Sequence, residues 1–600
     1  MKKLFAGAVA LLMCFGSFGI LAGCQKDTHE HVYGYEEIDA NTHKIYCNGC
    51  DDVDETGEHK YDGSDDLTCN LCGYTRDLLT TLPEVTVTNL SADGYVKDKI
   101  SDFSQYEGTE AYRTVTTADE LIQAIMDARW KYTNTWNGET SKVDQTLEKE
   151  GSVHVIEIAN DLDLGFNHIG ANYRAADENK SHSYVESYCR NKGSAISKFT
   201  MSDMYTEHGI SKIKIENTND LLIYSKNGAK LTHAGFSLLS CDNVVFRNIE
   251  MDEMWQWEDT ANVSTSAVGD YDAFGWAYMK VAHCGYVWID HCTFGKSYDG
   301  QIDYANPVYN TESTAFRSPY GADGSNGLHI SWCKFNAGSD DPDGYLYKMM
   351  AKIEEDYQAG GTNYRYYNAL REGGISFSDI LYGIAIPQKK GFLCGDSGNN
   401  TTDYDMNLQL QVSFSNCVFK NLEDRLPKLR GGNAVMYNCI VDSSQYYEYR
   451  TKLRSANAAG KVAAVNSSWK CALVSQGIVC GNGGSFYGEN CIYKGIETIL
   501  KNNDKGGTNE GEILRPVAGG FKLVNCSLQT SANSTPVTTF SDASNLTAAN
   551  FKWHTPDGQA PFNVSAVALE DLAEYLSNEK YGAGVNSMLQ ERLLKSKYSV

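Results

Sequence analysis

The sequence predicts an all-β solenoid in which coils stack on one another through short parallel strands. Two observations predict it. Six cysteines recur in equivalent phase, in most cases after a short β-rich run and a polar residue, namely Cys292, Cys333, Cys417, Cys439, Cys491 and Cys526. Cys417 and Cys439 lie about 22 residues apart, and no amphipathic helix separates the recurring runs. Self-similarity at such a period, built from strands, is typical of a solenoid.

The recurring cysteines predict an internal ladder of small apolar side chains. Cys241 and Cys284 repeat in a second phase, each followed by a β-rich run. Free cysteines are among the most buried residues and pack as small hydrophobic groups. Disulfides between them are the alternative, but equivalent phase favours stacking.

Helices are predicted at both ends of the stack. The segment T-A-D-E-L-I-Q-A-I-M-D-A-R from Thr117 has a capping start and apolar residues at helical spacing, so we expect it to cover the first coil. Residues Ser565 to Ser577 form a second amphipathic pattern at the other end. Between them, about Ala337 to Gln388 interrupts the coil rhythm, and insertions of this kind map to loops on one face.

The N-terminus predicts export. Residues 1–23 have a two-lysine start and a short apolar run, the pattern of a secretory signal. The box L-A-G-C ends at Cys24 and resembles the bacterial lipoprotein signal, which implies acylation of Cys24 and a lipid anchor in the cell membrane or at the cell surface. The alternative is an ordinary signal peptide with a chance cysteine.

A small Cys/His-rich domain is predicted over residues 24–80, ahead of the solenoid domain at 81–600. Two C-x-x-C pairs, Cys47 with Cys50 and Cys69 with Cys72, lie about twenty residues apart. This spacing favours a structural, zinc-ribbon-like Zn²⁺ site, since so polar a segment has little core of its own. Two disulfides are the alternative for an exported protein.

The charge of the chain limits its partners. A formal net charge of −25 argues against nucleic acid as a partner. It also argues weakly against a polyanionic sugar, unless bound cations reverse the local sign. We expect no nucleic acid partner, and a monomer.

Two aspartate clusters predict a calcium site. They flank the run W-I-D-H and contribute Asp270, Asp272, Asp299 and Asp303. Hard carboxylate oxygens in this number are the ligands that Ca²⁺ prefers. Turn formation and solvation are the alternative roles for such aspartates.

Six motifs occur in the order that is typical of one enzyme family. They are N-V-V-F-R-N-I from Asn243, D-Y-D from Asp270, W-I-D-H from Trp288, D-G-Q-I-D from Asp299, K-G-F-L-C-G from Lys390 and R-L-P-K-L-R-G-G from Arg425. Over roughly Val115 to Gln590 the chain resembles the pectate lyases of polysaccharide lyase family 1. The resemblance implies a right-handed parallel β-helix.

The resemblance also implies a role for each matching residue. Asp272, Asp299 and Asp303 match the family's primary Ca²⁺ ligands, and Asp270 matches an aspartate that serves in some members. Lys390 matches the substrate-binding lysine. Arg425 matches the arginine proposed as catalytic base, and Arg430 matches a second, supporting arginine. Trp288, Asp290 and His291 match a motif whose role is mostly structural.

The implied reaction is calcium-dependent β-elimination on polygalacturonate, which yields 4,5-unsaturated oligogalacturonates. Calcium and a basic side chain offset the C6 carboxylate charge while Arg425 removes the C5 proton. Free arginine hardly ever gives up its proton, but neighbouring cations disfavour its charged form, which predicts activity that rises toward alkaline pH.

One departure from the family pattern affects substrate contacts. Many members carry a lysine where this chain has Ala305, so one sugar contact is missing or comes from elsewhere. Pectin lyase activity on methyl-esterified polymer is one alternative function, although the retained aspartates argue against it. A surface protein that binds polysaccharide without cutting it is the other, and it would not need Lys390, Arg425 and Arg430 together.

Overall fold

The protein is described by a computed structural model. It describes residues 32–38, 42–60, 68–74, 87, 90, 92–136, 143–175, 183–188, 208–257, 275–305, 327–337, 341–395, 407–461, 474–502, 518–530, 550–555, 557–564, 567–577 and 582–584. The chain divides into two compact units, Met1–Pro83 and Glu84–Val600.

The first unit contains a three-stranded antiparallel sheet. Its strands are β1 (Tyr33–Glu37), β2 (Thr42–Cys47) and β3 (Cys50–Glu58), in the order β1-β2-β3. The tight turn between β2 and β3 places Cys47 opposite Cys50. His43, Cys47 and Cys69 are the buried residues among those described in this unit.

The second unit is a parallel β-helix with three faces. The first face, which we call sheet A, has nine strands that pair in parallel except at β9 and β10. In spatial order these are β9 (Val185–Ser187), β10 (Ser211–Glu216), β12 (Ala234–Leu239), β14 (Met279–Ala282), β17 (Gly300–Ala305), β20 (Lys390–Cys394), β23 (Lys428–Leu429), β26 (Gln476–Cys480) and β29 (Thr498–Asn502).

The other two faces are parallel ladders that share the long strands β11 (Asn219–Thr232) and β13 (Asp242–Asp252). The second face adds β4 (Tyr112–Val115), β7 (Val155–Ile158), β15 (Tyr286–Asp290), β18 (Gly327–Ser331), β21 (Gln411–Ser415), β24 (Asn433–Tyr437), β27 (Ser485–Glu489) and β30 (Gly520–Val524). The third face adds β8 (Leu162–Asp163), β16 (Thr293–Phe294), β19 (Lys334–Phe335), β22 (Val418–Lys420), β25 (Ile440–Asp442), β28 (Ile492–Lys494) and β31 (Ser527–Gln529). The predicted parallel β-helix is therefore confirmed.

The cysteine ladder lies inside the stack. All six ladder cysteines are buried thiols rather than disulfides. The residue before each of them has a left-handed backbone, with φ between 47° and 55° from His291 to Asn525. Asparagine tolerates this conformation better than most residues, which explains the recurring N-C pair. A stack of phenylalanines runs beside the ladder, with Phe335 centred 5.0 Å from Phe294 and 4.5 Å from Phe419.

The predicted helix at the start of the stack is present as α1 (Ala118–Asp127). Its cap is reciprocal, because Thr117 accepts from the amide of Glu120 while the Glu120 carboxylate accepts from the amide of Thr117. Leu121 and Ile125 are buried on its inner face. After α1, β5 (Lys131–Trp136) and β6 (Val143–Lys149) form an antiparallel hairpin.

The helix near the C-terminus is shorter than the sequence predicts. Among the described residues it is α6 (Leu572–Ser577), and residues 567–571 before it are not helical. Tyr575 packs on Trp332, with ring centroids 5.2 Å apart, and the amide of Gly584 donates to the Trp332 carbonyl. The helix therefore lies against the turn between β18 and β19 instead of covering the last coil.

The insertion between β19 and β20 is helical, although the sequence predicts loops there. It contains α2 (Tyr345–Gln358), α3 (Arg365–Glu372), the short α4 (Phe377–Ile380) and a π-helical turn at Leu381–Ala385. Met350 and Ile353 of α2 and Leu370 of α3 are fully buried. This apolar face at helical spacing explains the folding of the insertion into helices. A further helix, α5 (Ser444–Ala458), follows β25.

Candidate active site

Sheet A brings together charged residues that are far apart in the sequence. Lys280 on β14 pairs in register with Asp303 on β17, and Gly300 on β17 pairs with Lys390 on β20. Arg425 lies just before β23, the next strand of the sheet. Because neighbouring strands lie about 4.8 Å apart, in-register residues on successive coils become side-chain neighbours.

Asp299 and Lys390 form an ion pair across adjacent coils. The Lys390 ammonium donates to Oδ1 of Asp299, and both side chains are about one-fifth exposed. The buried Gln388 fixes this turn, because its Nε2 donates to the carbonyls of Asp299 at 2.7 Å and Lys390 at 2.9 Å. These hydrogen bonds fix the backbone positions of Asp299 and Lys390 relative to each other.

Asp303 has the environment of an unsatisfied carboxylate. Its Oδ1 is buried and has no hydrogen-bond partner. Burial raises the pKa of Asp303, and the Asp299 charge adds to the effect, while Lys280 and Arg425 oppose it. A buried carboxylate oxygen without a partner is costly, so the site favours a cation beside it.

Arg425 has an unusual backbone conformation. Its φ of 65° lies in the left-handed region, which is rare for a long side chain and is a strained conformation that clusters at functional sites. The Arg425 carbonyl accepts from the amide of Phe392, and its own amide donates to Asp424 Oδ1 at 2.8 Å. Within the described part of the chain Arg425 has no ion-pair partner, and its buried Nε has no hydrogen-bond acceptor.

Gly300 occupies the space between the acidic and basic groups. A methyl group at this position would lie 3.3 Å from Asp303 Oδ1 and 3.9 Å from Arg425 Nη1. Asp303 and Arg425 therefore both lie close to Gly300.

Three further residues were predicted for this site, Arg430, Asp270 and Asp272. Arg430 follows β23, so it lies at the opposite end of that strand from Arg425, and its amide donates to the Cys394 carbonyl. Asp270 and Asp272 lie outside the described residues. The structure therefore brings together Asp299, Asp303, Lys390 and Arg425.

Lys280 and Tyr188 are two neighbours that the sequence analysis missed. The Lys280 ammonium lies 5.8 Å from the ring centroid of Tyr188. Burial and the charge of Asp303 both raise the pKa of the Tyr188 hydroxyl. The run M-K-V-A alternates buried Met279 and Val281 with the less buried Lys280, a pattern that predicts a strand but no role for the lysine. Only the strand register shows that this lysine adjoins Asp303.

The W-I-D-H motif lies on another face. Asp290 ends β15, which belongs to the second face and not to sheet A. It is buried, accepts from Ser331 and His291, and pairs with Arg247 at 3.0 Å. Burial alone raises the pKa of Asp290, but His291 and Arg247 outweigh it and lower the pKa to about 2. These contacts hold β15 to its neighbours.

Among the described side chains of the first unit, the candidate metal ligands include two histidines that the sequence prediction does not contain. Cys69 and Cys72 come together with His43 and His59, and Cys47 is not a member of this group. The side chain of Cys50 lies outside the described residues, as does Cys24. Within the described ranges, no helix is long and apolar enough to cross a membrane.

The residues on sheet A fit a bound divalent cation. Asp303 offers a buried oxygen that lacks a partner, and Asp299 offers a second carboxylate that is partly exposed. Carboxylate oxygens of this kind are the ligands of Ca²⁺. Lysine and arginine beside them can contact an anionic substrate group at the same time.

Sheet A thus gathers lysine, arginine and aspartate on one face of a parallel β-helix. No protein-family model matches the chain. The fold is similar to the solved structure of a pectate lyase from Paenibacillus sp. 0602, with a TM-score of 0.63 and 24% identity over 85% of this chain and 100% of that one.

Characterised relatives define the family. Pectate lyase B of Paenibacillus amylolyticus is 30% identical over 353 residues, which cover 58% of this chain and 78% of that protein. A pectate trisaccharide-lyase of Thermotoga maritima is 28% identical over 124 residues, 21% of this chain and 27% of that protein. The chain belongs to the pectate lyase family, and it is a polysaccharide lyase that degrades pectate.

Proposed function

We propose that the protein is a calcium-dependent pectate lyase that cleaves α-1,4-polygalacturonate by β-elimination and releases 4,5-unsaturated oligogalacturonates. The observation that carries this proposal is the cluster on sheet A. Two carboxylates, one of them with a buried oxygen lacking a partner, lie within reach of Lys390 and Arg425. Hydrolysis would need no such set of cations, whereas elimination beside a carboxylate does.

The substrate explains why cations are needed. The C5 proton of galacturonate is α to the C6 carboxylate, which resists further negative charge. Bound Ca²⁺, held by Asp299 and Asp303 together with Asp272 and Asp270, would offset that charge. Lys390 then donates a hydrogen bond to the C6 carboxylate, which stabilises the charge that develops as the proton leaves.

Arg425 is the base in this proposal. Its neutral guanidine takes the C5 proton, the C5–H electron pair forms the C4–C5 double bond, and the C4–O bond breaks. The glycosidic oxygen leaves and takes a proton from solvent, while the proton held by Arg425 returns to solvent. Because the bond breaks by elimination, no water adds to the sugar. Arg430 supports the substrate from the far end of β23. Lys280, beside Asp303, is placed to supply the sugar contact that Ala305 does not.

Ultraviolet absorbance of the unsaturated product tests the proposal directly. We expect absorbance to rise when the purified protein meets polygalacturonate with Ca²⁺, and to stop rising when a chelator is added. Arg425→Ala should lower kcat by roughly 10²- to 10⁴-fold, the range for loss of a general base. Arg113→Ala, at an exposed position on β4, is the matched control.

Three outcomes would contradict the proposal. Near-normal activity of Arg425→Ala would exclude this arginine as the base. Product formation that ignores the chelator and prefers methyl-esterified polymer would indicate a pectin lyase. Binding of polygalacturonate without any unsaturated product would indicate a non-catalytic binding protein.

We propose that the enzyme works outside the cytoplasm, tethered through an acylated Cys24. The support is the L-A-G-C box that follows the apolar run of the signal. Cys24→Ser should move lyase activity from the membrane fraction to the medium in a bacterial expression host. Activity that stays in the membrane fraction of the variant would refute the anchor.

A further inference from the structure

The first unit contains four side chains whose ligating atoms converge. One atom each of His43, His59, Cys69 and Cys72 lies within 4.8 Å of all the others. Cys72 Sγ lies 3.3 Å from His59 Nδ1, and Cys69 Sγ lies 4.0 Å from His43 Nδ1. Tetrahedral zinc with bonds of 2.0–2.3 Å requires ligand atoms roughly 3.5 Å apart, which is close to these distances.

The convergent group takes the place of a hydrophobic core. Among the described residues of this unit, the buried side chains are His43, Cys47 and Cys69. The apolar residues Val32 and Ile38 are instead 61% and 49% exposed. A domain of this size with so little apolar burial needs a metal or disulfides to fold.

The surroundings of the four side chains orient them for a metal. The Cys69 sulfur accepts from the amide of Lys60 at 3.4 Å, the type of hydrogen bond that stabilises a thiolate. The ring of His59 stacks on Tyr74 with centroids 4.5 Å apart, and the ring of His43 meets Tyr35 edge-on at 5.4 Å. Neighbours of this kind fix the orientation of metal-binding histidines.

Cys47 has a different position. It ends β2 at the tight turn, and its sulfur accepts from the amide of Gly49 at 3.4 Å. It does not belong to the group formed by Cys69 and Cys72, which are thiols. Among the described side chains, Cys47 therefore differs from Cys69 and Cys72, although the sequence suggests one common role.

We propose that the first unit binds one structural Zn²⁺ through His43, His59, Cys69 and Cys72, and that this unit folds only when zinc is bound. The site is closed, with two thiolates and two imidazoles and no open position, so it stabilises structure and performs no chemistry. The ligand set is Cys₂His₂ instead of the Cys₄ set that the spacing of the cysteines suggests.

Cobalt substitution distinguishes the two ligand sets. The full chain is purified under reducing conditions, stripped of zinc, and titrated with Co²⁺ in the presence of excess Ca²⁺. Tetrahedral cobalt gives visible d–d bands, and the intensity of its near-ultraviolet sulfur-to-cobalt band increases with the number of thiolates. We expect one equivalent of cobalt and the band of two thiolates. A four-thiolate band would overturn the proposal.

Variants assign the ligands. His43→Ala and Cys69→Ser should each lose the cobalt bands and stoichiometric zinc, measured by mass spectrometry of the metal content. Cys47→Ser is the matched control and should keep both. Loss of zinc from Cys47→Ser with retention in His43→Ala would refute the ligand set. Alkylation that shows Cys69 and Cys72 disulfide-bonded in the zinc-free, active enzyme would refute zinc altogether.

Proteolysis tests the coupling of zinc to folding. Zinc removal should expose residues 32–74 to limited proteolysis, and added zinc should restore protection in the wild type but not in Cys69→Ser. Lyase activity measured on the same samples reports separately on the second unit. Equal protection with and without zinc would show that the unit folds without the metal.

Discussion

Lys390 donates a hydrogen bond to Asp299 across two neighbouring coils of sheet A, although 91 residues separate them in the sequence. The pair places a substrate-binding cation on a carboxylate that we expect to bind calcium. Under the proposed mechanism, Lys390 and Ca²⁺ would compete for Asp299. Binding of Ca²⁺ to this carboxylate would then leave the Lys390 ammonium able to contact the C6 carboxylate of the substrate.

This competition predicts opposite effects on binding and turnover in Lys390→Met. Calcium affinity should rise severalfold, because a competing positive charge is removed. Turnover should fall by about 10²- to 10³-fold, because a group that stabilises developing charge is lost. Isothermal titration with Ca²⁺ and the ultraviolet assay measure the two effects. Lys389→Met is the control, and weaker calcium binding by Lys390→Met would contradict the competition.

The buried carboxylate of Asp303 predicts that calcium and protons compete. Burial raises the pKa of Asp303, so its ionised form is lost earlier than usual as pH falls. Since calcium binds the ionised form, a higher calcium concentration should move the acid limb of the pH–activity profile to lower pH. Profiles measured at two calcium concentrations check this shift. Lys280→Met should move the acid limb to higher pH, because the charge of Lys280 lowers the pKa of Asp303. An acid limb whose position does not depend on calcium concentration would argue against Asp303 as a ligand.

His233 predicts that the second unit loses stability at alkaline pH. Its Nδ1 lies 2.8 Å from Asp163 and its Nε2 lies 3.2 Å from Glu253. Burial alone lowers the pKa of His233, but these carboxylates outweigh it and raise the pKa from 6.5 to about 9. Because the folded pKa exceeds the unfolded one, the stabilisation is complete below pH 6.5 and is lost as pH rises toward 9.

Denaturant unfolding at pH 6, 7.5 and 9 measures the effect of His233. The denaturation midpoint of the wild type should fall across this range. The corresponding loss in the free energy of unfolding should be on the order of a few kcal/mol. In His233→Gln the midpoint should change much less over the same interval. An equal decline in both proteins would assign the pH dependence to other groups.

The aromatic stack predicts a large cost for a cavity in the middle of the coil. Phe335 is buried between Phe294 and Phe419. Phe335→Ala should destabilise the second unit by about 3–5 kcal/mol, the usual range for a buried aromatic side chain. Chemical denaturation measures this, with Leu147→Ala at a 41% exposed position as control. A cost below 1 kcal/mol would mean that the coil collapses around the cavity.

The sequence carried enough information to predict the coils and most of the candidate site. The recurring N-C pairs mark the left-handed turn and the buried thiol that several coils share, so local chemistry reveals the repeat. Lys390, Arg425 and Asp303 could be selected because each lies in a short motif. Lys280 could not, because one lysine in a strand carries no signal without the register.

What the sequence alone determined was the repeating unit, because turn conformation, burial and strand formation are set by residues close together in the chain. The tertiary structure decided which residues of neighbouring coils come into contact. Loops of unequal length separate the coils, so sequence distance does not reveal that Lys280 adjoins Asp303 or that Lys390 reaches Asp299. The same holds in the small unit, where two C-x-x-C pairs suggested one site but the described structure brings His43 and His59 to Cys69 and Cys72. The spacing of residues in the sequence shows which pattern repeats, whereas the side-chain contacts between coils depend on the path of the folded chain.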